Sequence, residues 1–359
     1  MNILNNPYFN ALRNIKDILD HDQKKRSVYM LGLLLINAVF DLFGLAAIYP
    51  LMNAALNPES IQENKYLMLL YDYIGVLDNI TFLFILSAIL FLIFLFKNSI
   101  SIIIFYIQAK FSLNISKRLS QKVFQYYYDQ GYLFISNQDS GKKNYDILII
   151  PYYFGSIYLV ETLIMSTEIV VLLFIFIGLL SYNPIAVIFL MVFIIPIFGL
   201  VYLLTKNKTQ RIGDERNEIY PKVTSTILDS MQAYNDVQLS NKQHYFFQYF
   251  TALVEKINRL DSLQIGIYSK IHQRLNDIVL GLSLLIIFGF AYFFKENAAQ
   301  ILSLLTVFGI AAYRVLPAVN RIMGSTLAIK NVSYLIKELK PLANYKLKEY
   351  KNITNLKLE

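Results

Sequence analysis

Three cations lie inside or directly beside long apolar segments, where a charged side chain is costly and is a candidate functional residue. Arg314 falls about midway along the apolar segment 298–323, and Arg321 follows it by seven residues, so both project to one side of a helix. Lys97 follows the uninterrupted apolar run 82–96. Facing a central cavity, these cations could hold an anionic headgroup such as a lipid pyrophosphate, because the planar guanidinium of Arg bonds two phosphate oxygens at once.

The basic lining of such a cavity could extend to His272 and Arg274, where the fifth apolar segment enters the membrane. The competing interpretation is that the cations pair with acids inside the membrane and only fix the register of the helices. Four acids are available for this: Asp41, Glu161, Glu168 and Asp277. Arg321 has a further alternative, because a long side chain at the inner interface can reach the lipid headgroups. The sequence leaves these alternatives open.

No catalytic or metal-binding constellation accompanies these charges. The chain has no cysteine, and its three histidines, at 21, 244 and 272, are far apart and lack metal-ligand spacing such as HExxH. A pairing of nucleophile and base is not recognisable either. We therefore expect no catalytic residue, no metal site and no cofactor bound by this stretch of sequence.

The elements that must position the cations are membrane-spanning helices. Hydrophobic residues make up 56% of the 359 residues and charged residues only 16%, against about 25% charged in a soluble domain, and the mean hydropathy is +0.44. Six apolar segments approach the ~20 residues that cross a bilayer as a helix. They lie at about 29–55, 80–107, 149–181, 184–205, 276–294 and 298–323. The sequence thus predicts an all-α integral membrane protein and excludes disordered and disulfide-rich classes.

The net charge of +8 is unevenly distributed, and its distribution predicts the orientation. The connections around 108–148 and 206–275, the N-terminus and the tail after Arg321 are basic, whereas the other connections are neutral or acidic. The positive-inside rule places both termini and the two long connections in the cytoplasm. The first 26 residues are polar, basic and amphipathic, which predicts a helix along the membrane surface instead of a signal peptide.

Helical patterning continues through the two long connections. No Pro or Gly interrupts 97–130, so a helix from 80 to about 129 would be ~75 Å long, against a hydrocarbon core of ~30 Å. The pattern repeats from 184 to about 236. We expect two long cytoplasmic helical hairpins, with polar tips at Ile135–Lys143 and Leu239–Tyr245. Such projections suit a protein that receives mechanical work from a cytoplasmic partner.

This layout resembles the transmembrane domain of ABC exporters of the six-helix, domain-swapped type. Residues 139–149, DSGKKNYDILI, are similar to the first coupling-helix region of that family, and 227–250, ILDSMQAYNDVQLSNKQHYFFQYF, to the stretch before and through the second. Residues 308–325, FGIAAYRVLPAVNRIMGS, resemble the sixth helix of bacterial lipid-linked oligosaccharide flippases. In those flippases basic residues of the cavity are implicated in handling the pyrophosphate, and Arg314 falls in the matching motif.

The resemblance implies a partner, since each coupling tip of such an exporter docks on a nucleotide-binding domain. The residues expected to make this contact are Asp139, Lys143, Tyr145, His244, Tyr245 and Phe246. These 359 residues contain neither a GxxxxGK[ST] phosphate loop nor an LSGGQ-like signature. ATP and Mg²⁺ are therefore expected on a nucleotide-binding domain supplied in cis or in trans.

By the same resemblance, the chain divides into three parts: an N-terminal interfacial helix (1–26), a six-helix transmembrane domain (27–330), and a linker with the first strand of a nucleotide-binding domain (331–359). The expected strand is YKNITNLKLE at 350–359. The resemblance implies a homodimer in the bacterial inner membrane that moves a lipid-linked saccharide or a related anionic substrate by alternating access. Lipid and a second copy are the expected partners, and nucleic acid is not.

Two alternatives keep the membrane fold but change the function. Some bacterial peptide-uptake proteins resemble exporter membrane domains and use the proton gradient. Glu161 and Glu168, seven residues apart on one helix face, could then carry protons, although the strand-like ITNLKLE speaks against a stand-alone carrier. The other alternative is an assembly or scaffold subunit that transports nothing.

Overall fold

The regular structure of the protein is helical throughout the described part of the chain. A computed structural model describes residues 7–56, 65–75, 78–182, 184–268, 270–294, 298–342 and 345. Every regular element within these ranges is a helix, which confirms the all-α architecture that the composition predicts.

Fourteen α-helices of five or more residues and a single-turn helix, numbered in chain order, make up this part of the structure. The first seven are α1 (Pro7–Ile18), α2 (His21–Ala46), α3 (Ile48–Leu56), α4 (Lys65–Ile74), α5 (Asn79–Asp129), α6 (Tyr132–Ser136) and α7 (Ser140–Asn144). The remaining eight are α8 (Ile150–Tyr153), α9 (Val160–Tyr182), α10 (Pro184–Gln232), α11 (Tyr234–Leu239), α12 (Gln243–Leu263), α13 (Ile271–Phe294), α14 (Ala298–Asn331) and α15 (Leu335–Leu339). Two π-helical turns, Tyr145–Ile149 and Phe154–Leu159, join α7, α8 and α9 into one continuous helical rod.

Two helices extend far beyond the thickness of a bilayer. Helix α5 has 51 residues and α10 has 49, so each is ~75 Å long at 1.5 Å per residue. The predicted helix from 80 to about 129 is confirmed almost to the residue. Pro196 and Pro221 lie inside α10 without ending it, although each removes one backbone donor from the helix.

Both long hairpins turn through short helices at their tips. Helix α5 ends before Gly131, whose φ of 82° lies in the left-handed region that favours glycine. The chain then forms α6, a helix within the stretch where the sequence predicts only a turn. The second tip is α11, which follows α10 directly and is separated from α12 by Asn241, with a φ of 53°.

Three helical stretches in the described part are long and apolar enough to cross a bilayer, namely His21–Gly44, Asn79–Asp129 and Ser140–Ser181. They match the predicted spans 29–55, 80–107 and 149–181, except that the first predicted span is divided between α2 and α3. A shorter apolar helix covers Asp277–Phe290. The predicted spans 184–205 and 298–323 lie in α10 and α14, and several of their side chains fall outside the described part.

The N-terminal segment forms the amphipathic helix α1, and its apolar face packs against the bundle. Ala11, Ile15 and Ile18 are buried in the main hydrophobic cluster with residues of α5, α9 and α15. Asn14 donates a hydrogen bond of 3.1 Å to the Tyr158 hydroxyl. The apolar face is thus covered by protein, and the predicted position along the membrane surface stays a prediction.

The segment after α14 folds back onto the first long hairpin, formed by α5 and the helical rod α7–α9. Leu335, Leu339 and Leu342 are buried in the same main cluster. Beyond them, the Tyr345 hydroxyl donates a hydrogen bond to Asp129 at the end of α5. The first part of the predicted linker 331–359 is therefore helical and anchored, while the predicted strand 350–359 lies outside the described residues.

Candidate functional site

The cations singled out by the sequence converge on one ion-pair network between four helices. Asp41 of α2 lies 2.7 Å from the Lys97 ammonium of α5 and 3.4 Å from the Arg314 guanidinium of α14. All three side chains are largely buried. One carboxylate therefore joins two cations that the sequence places about 200 residues apart.

A second carboxylate continues the network. Glu168 of α9 lies 3.2 Å from Arg314 Nη1 and 2.8 Å from Arg321 Nη1. The side chain of Glu168 is only 4% exposed, whereas that of Arg321 is 51% exposed. The network thus runs from a buried interior around Arg314 to an accessible guanidinium at Arg321.

Glu161 completes the acidic side of the site through a different contact. Its Oε2 accepts a hydrogen bond of 2.6 Å from the Ser325 hydroxyl of α14. Glu161 and Glu168 are seven residues apart on α9, and both face α14, as the helical spacing predicts. Asp41 and Glu168 form the ion pairs with Lys97, Arg314 and Arg321, while Glu161 lies beside them bonded to Ser325.

Lys97 lies where α2 and α5 approach each other closely. A Cβ atom on Gly44 would lie 2.9 Å from Phe94 Cε1 and 3.5 Å from Lys97 Cδ, so glycine leaves room for both side chains. The Lys97 ammonium also lies 5.3 Å from the centre of the Phe94 ring. One turn further along α5, the Ser101 hydroxyl donates a 2.6 Å hydrogen bond to Asn37 Oδ1.

Two other predicted site residues do not join this network. Arg274 and Asp277 of α13 are both exposed, and within the described residues no ion pair links either of them to Asp41, Glu168 or Arg314. The side chain of His272 lies outside the described part. In this structure Lys97 and Arg314 are paired with acids and Arg321 is paired but also accessible, while contact of these cations with substrate stays a prediction.

At the tip of the first long hairpin, the predicted contact residues have different environments. Asp139 is exposed and caps α7, accepting hydrogen bonds of 2.7 Å from the Gly141 amide and 3.2 Å from the Lys142 amide. Lys143 donates to the Ile135 carbonyl oxygen at 3.2 Å. Tyr145, in contrast, is 2% exposed. It is not available at the tip, because α10 covers its ring.

The exposed apolar groups of this tip are residues that the sequence analysis does not single out. Tyr132 and Leu133 of α6 are strongly exposed, while Phe134 packs edge-on against Tyr126 and Tyr127. The signal for this arrangement was Gly131, which marks the turn before the short helix. An aromatic residue directly after that glycine is placed at the apex of the hairpin.

The second tip presents the predicted residues to solvent. His244 and Tyr245 are exposed and Phe246 is half-buried. Tyr245 stacks on Tyr249 with their rings nearly parallel and 6.4 Å apart. The neighbouring apolar side chains Met231, Tyr234, Leu239 and Phe247 are exposed as well. This tip therefore carries an apolar and aromatic surface that soluble helices rarely expose.

A tyrosine junction, formed by Tyr145, Tyr220 and Tyr334 with the pair Arg216 and Asp261, joins both hairpins to the end of α14. The Tyr145 ring stacks on Tyr220 at 6.2 Å, and its hydroxyl is 2.9 Å from the Tyr334 hydroxyl. Arg216 lies 3.1 Å from Asp261 and 5.4 Å from the Tyr220 ring. Burial raises the pKa of Tyr334 to about 12, although the hydrogen bond with Tyr145 lowers it. The Tyr334 hydroxyl is thus neutral at physiological pH.

The two hairpins also touch through backbone. A Cβ atom on Gly141 would lie 2.0 Å from the Pro221 carbonyl oxygen, and one on Gly213 would lie 1.7 Å from the Asn331 carbonyl oxygen. Only glycine permits these distances. The first hairpin and the end of α14 are therefore fixed against the same helix, α10.

Comparison with known proteins establishes the fold that holds this site. No protein-family model matches the chain. Among solved structures, the chain is similar to a bacterial Atm1-family ABC exporter with ATP bound, at a TM-score of 0.66 and 10% sequence identity. The likeness covers 93% of this chain and 56% of that one, so this chain spans a little over half the length of its structural neighbour.

The chain therefore has the fold of an ABC exporter transmembrane domain, as the layout of its helices predicts. Its multiple apolar helices indicate a multi-pass membrane protein. The narrower resemblance of 308–325 to lipid-linked oligosaccharide flippases stays a prediction.

Proposed function

We propose that this chain is the membrane domain of an ATP-driven exporter that moves an amphipathic anionic substrate, a lipid-linked saccharide or a related molecule, across the bacterial inner membrane. The observation that carries the proposal is the half-exposed guanidinium of Arg321 beside a buried ion-pair network. The interior cations Lys97 and Arg314 are each held by Asp41. Arg321 can therefore turn donors toward an anion without leaving a buried cation unpaired.

The network also suggests how substrate and conformation are linked. Its members come from α2, α5, α9 and α14, so any relative movement of these helices changes the distances between opposite charges. An anion on Arg321 competes for the guanidinium that Glu168 now holds at 2.8 Å. Binding would thus loosen the contact between α9 and α14 and favour the second state of an alternating-access cycle.

The cytoplasmic hairpins support coupling to nucleotide-binding domains, which would carry ATP and Mg²⁺. The exposed side chains of α6, α11 and the start of α12 lie at the far ends of two ~75 Å helices. The tyrosine junction connects these hairpins with the end of α14, the helix that carries Arg314 and Arg321. A homodimer with both termini in the cytoplasm is part of the same proposal.

Inverted membrane vesicles provide the test. The full-length chain is produced together with its nucleotide-binding domain, and movement of a fluorescent lipid-linked oligosaccharide is measured with and without ATP. We expect ATP-dependent movement that Arg321→Gln lowers by about tenfold or more, the loss of one charge-assisted contact. Arg211→Gln is the control, because Arg211 is exposed on α10 and pairs only locally with Glu215. Equal rates for the two variants would contradict the role of Arg321.

A proton-driven transporter is the second candidate, and one contact favours it. Glu161 is bonded to the Ser325 hydroxyl rather than to a cation, so it can take up a proton without stranding a positive charge. Transport that survives ATP depletion but stops with an uncoupler would support this candidate over the first. In that case Glu161→Gln should abolish transport, while the exposed Asp277→Asn should not.

A further inference from the structure

A second basic site, formed by Lys206, Gln210 and Lys330, lies at the cytoplasmic end of the contact between α10 and α14. Lys330 Nζ donates to Gln210 Oε1 at 3.4 Å. Lys206 is four residues before Gln210, one helical turn nearer the membrane on the same face of α10. Both lysines are half-buried.

These lysines differ from the other cations that the helices bury between them. Lys97, Lys122, Arg216 and Arg314 each have a carboxylate oxygen within 3.4 Å. In the described part of the chain, neither Lys206 nor Lys330 has a carboxylate within ion-pair distance. The Lys206 ammonium instead lies 5.4 Å from the Tyr202 ring. Two positive charges are thus held near one another in a half-buried cleft between α10 and α14.

The electrostatics at the two lysines favour the binding of an anion. Burial lowers the pKa of Lys330, and the positive charge of Lys206 lowers it further, while Asp214 opposes this. Asp214 itself is exposed, so its charge acts across solvent. An anion placed between the two ammonium groups would relieve both the burial and the mutual repulsion.

The backbone around this cleft is rigid, which suits a preformed binding site. The Asn331 amide donates to the Thr209 carbonyl oxygen at 3.4 Å, and Thr209 is fully buried. Gly213 brings α10 against the Asn331 carbonyl oxygen, one turn below Gln210. Because α10 and α14 cannot separate here without breaking these contacts, the two lysines stay on facing helices.

We propose that Lys206, Gln210 and Lys330 bind a phosphate-bearing anion at the inner membrane surface. Two ammonium groups and one amide provide donors to several phosphate oxygens. The position directly after the predicted span 184–205 is the level of lipid headgroups. The anion is either the headgroup of an anionic lipid or the phosphate of a soluble molecule. The site is separate from the ion-pair network and holds whether transport is driven by ATP or by protons.

The experiment compares two double variants of the full-length chain. Lys206→Gln with Lys330→Gln removes the site, while Lys208→Gln with Arg211→Gln removes two exposed positive charges from the same stretch of α10. In one arm, inorganic pyrophosphate is titrated onto protein in neutral detergent at constant ionic strength. In the other, native mass spectrometry counts phosphatidylglycerol molecules that stay bound among excess phosphatidylcholine.

We expect saturable binding in at least one arm, weakened about tenfold or more by the site variant and left unchanged by the control. Binding of phosphatidylglycerol alone assigns the site to a lipid headgroup, and binding of pyrophosphate assigns it to a soluble phosphate. Equal affinities of the two double variants, or no saturable binding of either probe by the natural chain, would overturn the proposal. Helical circular dichroism checks that the site variant is folded, and removal of the lysine repulsion is expected to leave it at least as stable.

Discussion

Glu168 holds Arg314 at 3.2 Å although its side chain is only 4% exposed and the two residues belong to different helices, α9 and α14. A carboxylate this deeply buried is stable only because positive charges lie directly beside it. The same carboxylate also binds Arg321 at 2.8 Å. One residue therefore sets the distance between the third and sixth predicted spans.

Replacing Glu168 by Gln should lower the free energy of unfolding by about 2–4 kcal/mol, because Arg321 loses its partner and Arg314 keeps only Asp41. The measurement is loss of helical circular dichroism with denaturant in detergent. Asp277→Asn serves as the control, since Asp277 is exposed, and it should change stability by less than about 0.5 kcal/mol. A Glu168→Gln protein as stable as this control would show that the pair adds no stability.

Replacing Gly213 by Ala should destabilise the contact between α10 and α14. The new methyl group would lie 1.7 Å from the Asn331 carbonyl oxygen, a backbone atom that cannot move alone. We expect a loss of about 1–3 kcal/mol, typical of overpacking. Gly199→Ala on the same helix has open space around the new methyl and should be neutral or gain up to about 1 kcal/mol. Equal thermal midpoints for the two variants would contradict the close helix contact.

Substitutions at Tyr132 and Tyr145 test partner docking and folding of the first tip separately. Tyr132→Ala should leave stability unchanged and lower the stimulation of ATP hydrolysis by substrate, because Tyr132 is 81% exposed at the apex. Tyr145→Ala should cost about 3–5 kcal/mol, since this ring is buried against Tyr220. The two readouts are the thermal midpoint and the hydrolysis rate with the nucleotide-binding domain present. The assignment of the apex fails if Tyr132→Ala unfolds the protein or leaves coupling intact.

Tyr345→Phe tests the anchoring of the segment after α14. The substitution removes the hydroxyl that donates to Asp129 while keeping the ring against Tyr126. Loss of one hydrogen bond to a carboxylate should release about 1.5–3 kcal/mol of local stability, so amide hydrogens of Leu335–Leu342 should exchange faster. Tyr292→Phe, at an exposed position of α13, is the matched control. Unchanged exchange in Tyr345→Phe would show that the buried leucines anchor the segment without this bond.

The sequence predicts the helices well because their signals are local. The apolar run and the lack of Pro and Gly in 97–130 are enough to define α5, and the i, i+7 spacing places Glu161 and Glu168 on one face. This spacing does not decide which of the four acids pairs with which of the three cations. Spacing along one helix does not reveal which other helix packs against it.

The same limit explains why the sequence does not predict that Tyr145 lies buried away from the hairpin tip. Tyr145 follows a polar turn and so was placed on the exposed tip, but Tyr220, 75 residues later in sequence, covers it. Lys206 and Lys330 looked like ordinary basic flanks of two separate spans. Only the packing of α10 on α14 places them in one cleft.

The two π-helical turns below α9 set the rotation of the charged face above them. Each wide turn takes in about one residue more than an α-helical turn, which rotates everything that follows by about 100°. Glu161 and Glu168 come after both turns, Tyr145–Ile149 and Phe154–Leu159. Rewinding the same residues of either turn as α-helix would therefore swing both carboxylates away from α14, whereas deleting one residue together with that rewinding would keep them facing it. The phase of the membrane network is thus controlled by backbone winding between the tyrosine junction and the bilayer.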